Sequence, residues 1–192
     1  YHLGIAGDMK YKENQDGKVT SIEFDKPKSY SRKIRYNSPE YVVKLSKFIK
    51  DKYNVNYVYF LDENLMTMDV YSQRVWMKEI CRLWKEYGLV PKKKKDGSWT
   101  GLYWSGTSHA TLCEPGVLKI MAESGCAHLV YGYEHFDDRI LKTMGKGSTK
   151  KTNLRSFFWT IEAGIRPIPN QIIGFPDEDF ESLKIQMKAW DD

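Results

Sequence analysis

Four short polar segments hold the residues of this 192-residue chain whose types could do chemistry: Asp62-Glu63-Asn64; Ser105 with Thr107, Ser108 and His109; Glu134-His135; and Gly174-Phe175-Pro176. Each follows or closes a run rich in β-branched and aromatic residues, the mark of a buried strand. In parallel α/β architectures, ligands bind beyond the carboxyl ends of the strands, where loops converge and helix N-termini point inward. The four segments would then face one another across one edge of a sheet, offering carboxylates, hydroxyls, imidazoles and backbone amides. Turns are hydrophilic for other reasons too, so placement alone does not separate a site from a solvated rim. Metal chemistry gains no support from spacing: His2, His128 and His135 lack any metal-ligand pattern. Cys81, Cys113 and Cys126 are odd in number, far apart and set within or beside apolar elements, which reads as ordinary buried thiols.

Alternating helix and strand signals would position these segments. Residues 1–37 show little periodicity, with Asp16-Gly17 able to turn a small hairpin between Tyr11 and Phe24. Ser38-Pro39 opens a helix over 38–53 carrying Val42, Leu45, Phe48 and Ile49. A strand over 55–61 follows, then a helix capped by Asp69, with Trp76, Ile80, Leu83, Trp84 and Tyr87 on one stripe until Gly88. Next come a strand over 99–104, a helix from Pro115 to Gly125 and a strand over 127–133. Helices near 137–143 and 152–164 follow, the latter aligning Leu154, Phe157, Phe158 and Ile161. A strand over 168–175 leads to a helix over 178–190 aligning Phe180, Leu183, Met187 and Trp190. This alternation implies α/β architecture with parallel strands and right-handed crossovers. Four strands are too few to close a barrel, so an incomplete (βα) TIM-like barrel is expected.

Composition fits that picture: 41% hydrophobic and 29% charged residues suit one globular domain with a sizeable core. No apolar run nears the roughly 20 residues of a membrane span, and no signal peptide is evident, so a cytoplasmic setting is expected. The formal charge of +5 is spread along the chain. Its densest run, Lys92 to Lys95, precedes an Asp96-Gly97 turn signal and reads as a solvated loop rather than a nucleic-acid patch. The chain opens at Tyr1 without an initiator Met and stops within a helical pattern, so truncation at both ends is expected.

Several motifs carry a family resemblance. Phe60-Leu61-Asp62-Glu63-Asn64 resembles the segment after a second barrel strand. Ser124-Gly125-Cys126 leading to Tyr131-Gly132-Tyr133-Glu134 resembles a fourth-strand segment, and Ala163-Gly164-Ile165 followed by Ile172-Ile173-Gly174-Phe175-Pro176 a fifth-strand one. Taken in order, the set resembles the radical S-adenosylmethionine (radical SAM) superfamily core barrel. Arg35-Tyr36-Asn37-Ser38-Pro39-Glu40 resembles the segment after the cluster loop in cobalamin-binding members. The group most similar is that of proteins resembling anaerobic magnesium-protoporphyrin IX monomethyl ester cyclase. The resemblance implies one core domain over 1–192, with 1–37 a loop following the cluster motif and 38–192 a set of βα repeats.

The cofactors implied are S-adenosylmethionine and a 4Fe-4S cluster, with cobalamin in the cobalamin-binding members. The family's CxxxCxxC motif is absent from this sequence. Tyr1-His2-Leu3-Gly4 resembles what directly follows its last cysteine, so the cluster ligands are expected upstream of Tyr1 and the chain alone is expected to be inactive. By the same resemblance, Asp62, Glu63 and Asn64 would accept hydrogen bonds from the cofactor's ammonium, and Glu134 would accept from its ribose hydroxyls. Ile172, Gly174, Phe175 and Pro176 would meet the adenine, Gly174 letting the backbone approach closely. Ser105 and its neighbours would lie on the third strand's loop, beside cofactor or substrate. A helix-capping turn at 62–64 and a surface carboxylate at Glu134 are the plainer alternatives. Asn170 stands where the family often has glycine, and Asp177-Glu178 stand only near its acidic position, so that acidic contact is unassigned. The full enzyme would generate a 5'-deoxyadenosyl radical, or transfer methyl groups with cobalamin, on a small-molecule substrate of tetrapyrrole-like or lipid kind. A flavodoxin or ferredoxin would donate the electron. The competing reading is a non-catalytic α/β nucleotide-binding domain without a cluster.

Overall fold

The first 37 residues, for all their lack of periodicity, contain a hairpin. In the structure, a computed structural model that describes residues 9–15, 19–24 and 36–191, β1 (Met9–Glu13) pairs antiparallel with β2 (Val19–Phe24). The hairpin belongs to one compact unit, Tyr1–Arg35, and the rest of the chain to another, Tyr36–Asp192. The expected turn at Asp16-Gly17 and the segment Tyr1-His2-Leu3-Gly4 lie outside the described residues.

In the second unit, Ser38 caps α1 (Pro39–Tyr53) by accepting from the Tyr41 N–H at 3.2 Å, and Pro39 occupies the first turn. The chain then runs through β3 (Tyr57–Phe60), α2 (Met66–Tyr71), α3 (Trp76–Glu86), β4 (Lys92–Lys93), β5 (Trp99–Thr100) and β6 (Tyr103–Ser108). A 3-10 turn (Ala110–Leu112), α4 (Pro115–Ser124), β7 (Cys126–Glu134), α5 (Asp138–Thr143), α6 (Lys150–Glu162), β8 (Arg166–Gln171) and α7 (Phe180–Lys188) complete it. β3, β6, β7 and β8 form one sheet in that order, every neighbouring pair parallel. The expected α/β fold with four parallel strands of a partial barrel is therefore present. Gly88 ends α3 at φ +67, with its own N–H on Lys85 O and that of Leu89 on Trp84 O. That paired closure satisfies carbonyls the helix would otherwise leave open.

The two faces of the sheet differ. Helices cover one, where Phe60, Trp84 and Trp104 meet with ring centroids 5.7 to 6.3 Å apart, among fully buried Met77, Leu118 and Leu129. The other, inner face carries Tyr57 and Tyr59 of β3, Ser105 and Thr107 of β6 and His128 of β7, joined by hydrogen bonds. Among the described residues no helix is long and apolar enough to cross a membrane.

Between β7 and α6 the seam is polar. Tyr131 and Tyr133 stack with centroids 5.1 Å apart and are fully buried. Their hydroxyls meet Thr160 Oγ1 at 2.7 Å and Ser156 Oγ at 3.0 Å, while Asn153 Nδ2 donates to Tyr133 O at 3.1 Å and His135 O at 3.2 Å. Burial pushes both phenol pKa values up and keeps them protonated. Because buried polar groups must be paired, the helix positions above the phenols have to be small and hydrogen-bonding.

This seam corrects the stripe expected on α6: Phe158 and Ile161 are half exposed, whereas Asn153, Ser156 and Thr160 face the sheet. α7 departs in the same way. Its buried positions are Ser182 and Gln186, the latter accepting from the Phe136 N–H at 2.8 Å, while Phe180 and Met187 point outward. Asp69 is not the residue preceding α3 but a buried member of α2; its Oδ1 reaches forward to cap the Met77 N–H at 3.0 Å. The strand expected over 99–104 is two strands. Gly101, at φ +86, packs so tightly that a Cβ would lie 2.5 Å from Val90 O, and there the chain leaves the exposed β4–β5 hairpin to begin β6. That hairpin holds the exposed run Lys92 to Lys95, as a solvated loop should. β8 stops at Gln171, short of residue 175, and as an edge strand it tolerates Pro167 and Pro169.

Replacing Asn153 by Ala removes the amide that serves two buried carbonyls, and urea unfolding should show a loss of about 1–3 kcal/mol. Phe158→Ala, on the half-exposed stripe, should cost clearly less; the reverse ranking would contradict the assigned faces.

Candidate functional site

The polar segments sit along the carboxyl edge of the sheet, each shaped by a different local device. After β3, Leu61, Asp62 and Glu63 are exposed, and the loop is fixed by the Leu65 N–H on Thr107 O at 2.8 Å. Gly106 has no Cβ to fill the space that Leu65 uses; one built there would meet Leu65 Cδ2 at 3.0 Å. Asn64 is half-buried, and its Oδ1 is shielded with no hydrogen-bond partner. A buried unpaired acceptor is costly, so this amide oxygen is a candidate for a ligand's donor.

β6 places its hydroxyls differently from expectation. Ser105, expected on the loop, lies inside the strand and is fully buried. Its Oγ accepts from the His128 N–H at 3.2 Å and bonds His128 Nδ1 at 3.0 Å, while Nε2 of that ring meets the Tyr57 hydroxyl at 3.2 Å. Thr107 is also in the strand, bonded to the Tyr59 hydroxyl at 2.9 Å, and Ser108 is buried against Cys113. Only His109 reaches the edge, where its Nδ1 accepts from the Thr111 N–H at 3.3 Å and caps the 3-10 turn. Burial lowers the pKa of this imidazole, and the charge of Lys146 adds to that.

At the end of β7 the backbone makes an unusual turn. Glu134 has φ +63, and the His135 N–H closes on Tyr133 O at 2.7 Å, the rare positive-φ form of the three-residue γ-turn. Such conformations are strained for a residue with a Cβ and persist only where the surroundings enforce them. The Glu134 carboxylate is mostly buried and pairs through Oε1 with Lys146 Nζ at 2.7 Å. Lys146 arrives there from the glycine turn that ends α5, where the Gly145 N–H bonds Lys142 O and its own N–H bonds Leu141 O. A Cβ on Gly132 would lie 2.5 Å from Glu134 Oε1 and 2.8 Å from Lys146 Nζ, so the ion pair rests directly over the strand.

The last segment is tied to the third. The Ile172 N–H bonds Glu134 O at 2.8 Å, bringing the fourth strand's end beside Glu134. Ile172 is 41% and Ile173 74% exposed, and Gly174 turns the chain at φ +87 toward Phe175 and Pro176. Glu178 folds back so that its carboxylate accepts from the Gly174 N–H and from His135 Nε2, the latter at 3.1 Å. Since His135 Nδ1 accepts from the Asp137 N–H at 2.8 Å, the network assigns the proton to Nε2. Arg139 secures the far side, donating to Asp177 O at 2.8 Å and Asp179 Oδ2 at 2.9 Å. The acidic residue left unassigned by the sequence thus shapes the glycine turn. Lys146 was not found from sequence, its one signal being Gly145, which stops α5; His135 and Glu178 were each noted there, but not their pairing.

Along this edge the structure assembles acceptors (Asn64 Oδ1, Glu134), a cation (Lys146), and a glycine turn with exposed apolar side chains. Asp62 and Glu63 have no ion pair among the described residues. Such a set suits a ligand with an ammonium, hydroxyls and a flat heterocycle.

Residues 18–185 match the radical SAM superfamily. A methyltransferase of Pyrococcus horikoshii, described as uncharacterized, is 28% identical over 159 residues that cover 83% of this chain and 31% of that protein. Among solved structures, the cobalamin-dependent S-adenosylmethionine radical enzyme OxsB with aqua-cobalamin and S-adenosylmethionine bound gives a TM-score of 0.64 at 17% identity. That match covers 79% of this chain and 22% of OxsB. The radical S-adenosylmethionine methyltransferase TsrM from Kitasatospora setae, with cobalamin and a 4Fe-4S cluster bound, gives 0.64 at 16% identity over 81% of this chain and 29% of TsrM. At these identities the structural likeness is one of fold. The chain spans about a third or less of the length of each of these proteins.

Among the described residues no group of three His, Cys, Asp or Glu side chains is placed to hold a metal ion. Cys81, Cys113 and Cys126 are all buried in the core, and burial raises each thiol's pKa, that of Cys81 to about 11. Thiols are ligands and nucleophiles only as thiolates. Iodoacetamide at neutral pH should therefore leave all three unmodified in the native protein and alkylate them after unfolding. Rapid native-state labelling of any one, read by mass spectrometry, would contradict their placement.

Proposed function

The chain belongs to the radical SAM superfamily, and from that premise we propose that its four strand ends grip S-adenosylmethionine within an enzyme that cleaves this cofactor reductively. The observation that carries the reading is the set of groups along one sheet edge: the Asn64 amide oxygen, unpartnered among the described residues, a Glu134 carboxylate with one oxygen engaged by them, and the Gly174 turn. Asp62, Glu63 and Asn64 accept from the ammonium, where exposed carboxylates supply charge-assisted bonds. Glu134 accepts from ribose hydroxyls. Ile172, Gly174, Phe175 and Pro176 offer the adenine an apolar surface and an open backbone, in a turn that Glu178 and His135 keep fixed. Ser105 serves beneath this rim by orienting His128 on the inner face.

Bound together, the cofactor and a 4Fe-4S cluster supply one-electron cleavage of a sulfonium carbon–sulfur bond. The cysteines of this chain do not fit such a cluster, being dispersed, buried and protonated, so its thiolates are supplied from outside the chain. Cobalamin, present in OxsB and TsrM, is the further cofactor in this reading, and methyl transfer to a small-molecule substrate the corresponding reaction. A small redox protein such as a flavodoxin or ferredoxin delivers the electron.

Equilibrium binding of S-adenosylmethionine tests the assignment. The wild-type protein should bind it saturably, and Glu134→Ala should weaken binding by about 10- to 100-fold, the worth of hydrogen bonds to a charged group. Asp51→Asn, on the far end of α1, should leave it unchanged. Wild-type affinity in Glu134→Ala would remove Glu134 from the site.

A further inference from the structure

The ion pair over β7 contains a residue that the sequence did not single out. Among the described residues, Lys146 Nζ bonds Oε1 of Glu134 and no other group, and the second carboxylate oxygen, Oε2, accepts from none. Both side chains are about four-fifths buried, at 24% and 19% exposure. The pair lies where Gly132 leaves room: a Cβ there would collide with both members. Gly132 follows His128 and Val130 at alternate positions of β7, so its missing side chain would project from the inner face of the sheet, opposite buried Tyr131 and Tyr133. The ion pair is thus on the inner face, at its carboxyl edge. Neither partner is free to wander. Glu134 is held by the γ-turn and by the Ile172 N–H on its carbonyl, and Lys146 by the glycine turn closing α5.

We propose that Lys146 is a positioning and specificity residue for a vicinal diol. It fixes the Glu134 carboxylate through one oxygen, leaving the other to accept from one ribose hydroxyl, while its ammonium donates to the oxygen of the neighbouring hydroxyl. Because Nζ sits 2.7 Å from Oε1, the free oxygen of the same carboxylate and the ammonium lie side by side, and such an acceptor and donor match two adjacent hydroxyls, each of which can donate and accept. A nucleoside lacking one hydroxyl leaves half of the pair unanswered in a partly buried setting, and sites built to bond a hydroxyl reject analogues without it. This inference rests on the nucleoside-binding reading of the same edge.

5'-Methylthioadenosine and its 2'-deoxy counterpart, neither of which carries the methionine carboxylate, are the probes, with isothermal titration calorimetry on the protein as the readout. The wild type should favour the ribonucleoside by about tenfold or more. Lys146→Met should reduce that preference to within about twofold, mainly by weakening the ribonucleoside, and Lys146→Arg should restore part of it. Gly132→Ala, which displaces the pair while keeping Lys146, should erase the preference as well and serves if Lys146→Met does not fold. Equal weakening of both nucleosides in these variants, with the preference intact, marks a structural role and overturns the proposal. So does a Lys146→Met that impairs only S-adenosylmethionine, which would make Lys146 a reader of the carboxylate. A wild type that binds S-adenosylmethionine without preferring the ribonucleoside sinks the diol proposal alone, whereas one that binds none of the three ligands sinks the nucleoside reading with it.

Discussion

Asn153 grips the backbone on both sides of Glu134, donating to the carbonyls of Tyr133 and His135. With the γ-turn bond between those same two residues, this holds a non-glycine residue at a positive φ that it would not adopt unaided. The direction of the Glu134 side chain follows from that constraint, and with it the position of Lys146. The Ile172 N–H bonds the Glu134 carbonyl, so the beginning of the Gly174 turn is set from the same point. A helix on the outer layer of the sheet thereby controls a carboxylate on its edge.

That control depends on α6 having small polar residues where a helix packed on a sheet ordinarily has aliphatic ones. Ser156 and Thr160 continue the line begun by Asn153, matching the phenols of Tyr133 and Tyr131. The seam is fully paired except for Asn153 Oδ1, and a paired polar seam fixes one register between helix and strand more sharply than apolar packing does. Beyond it, the aromatic contacts of Phe136 and Phe157 with Trp190, 5.0 and 5.4 Å between centroids, attach the end of α7 to the same region.

Much of the fold was legible in the sequence, because its signals are local. Ser38-Pro39, Gly88, Pro115 and Gly125 punctuate helices by simple backbone chemistry, and the β-branched and aromatic runs gave four strands with polar ends. Hydrophobic periodicity failed where the core is polar: on α6 and α7 it selected Phe158, Phe180 and Met187, which are exposed, over Asn153, Ser156, Ser182 and Gln186. Asp69 was read as a cap because it precedes an apolar stripe; it does cap α3, but from eight residues away within a helix of its own. In the candidate site, Asn64, Glu134 and Gly174 were accessible as strand-end residues. Lys146 was not, since it joins Glu134 through the way α5 folds back over β7, and Ser105 looked like an edge residue because the aromatic run ends at Trp104, whereas its strand continues to Ser108.

The most direct test is a structure of the protein with S-adenosylmethionine bound. Its ribose should be hydrogen-bonded to Glu134, with that residue still at positive φ under Asn153, and its adenine should lie against residues 172–176. A cofactor bound away from the carboxyl edge of β7, or a Glu134 carboxylate turned out to solvent in the complex, would contradict the central claim.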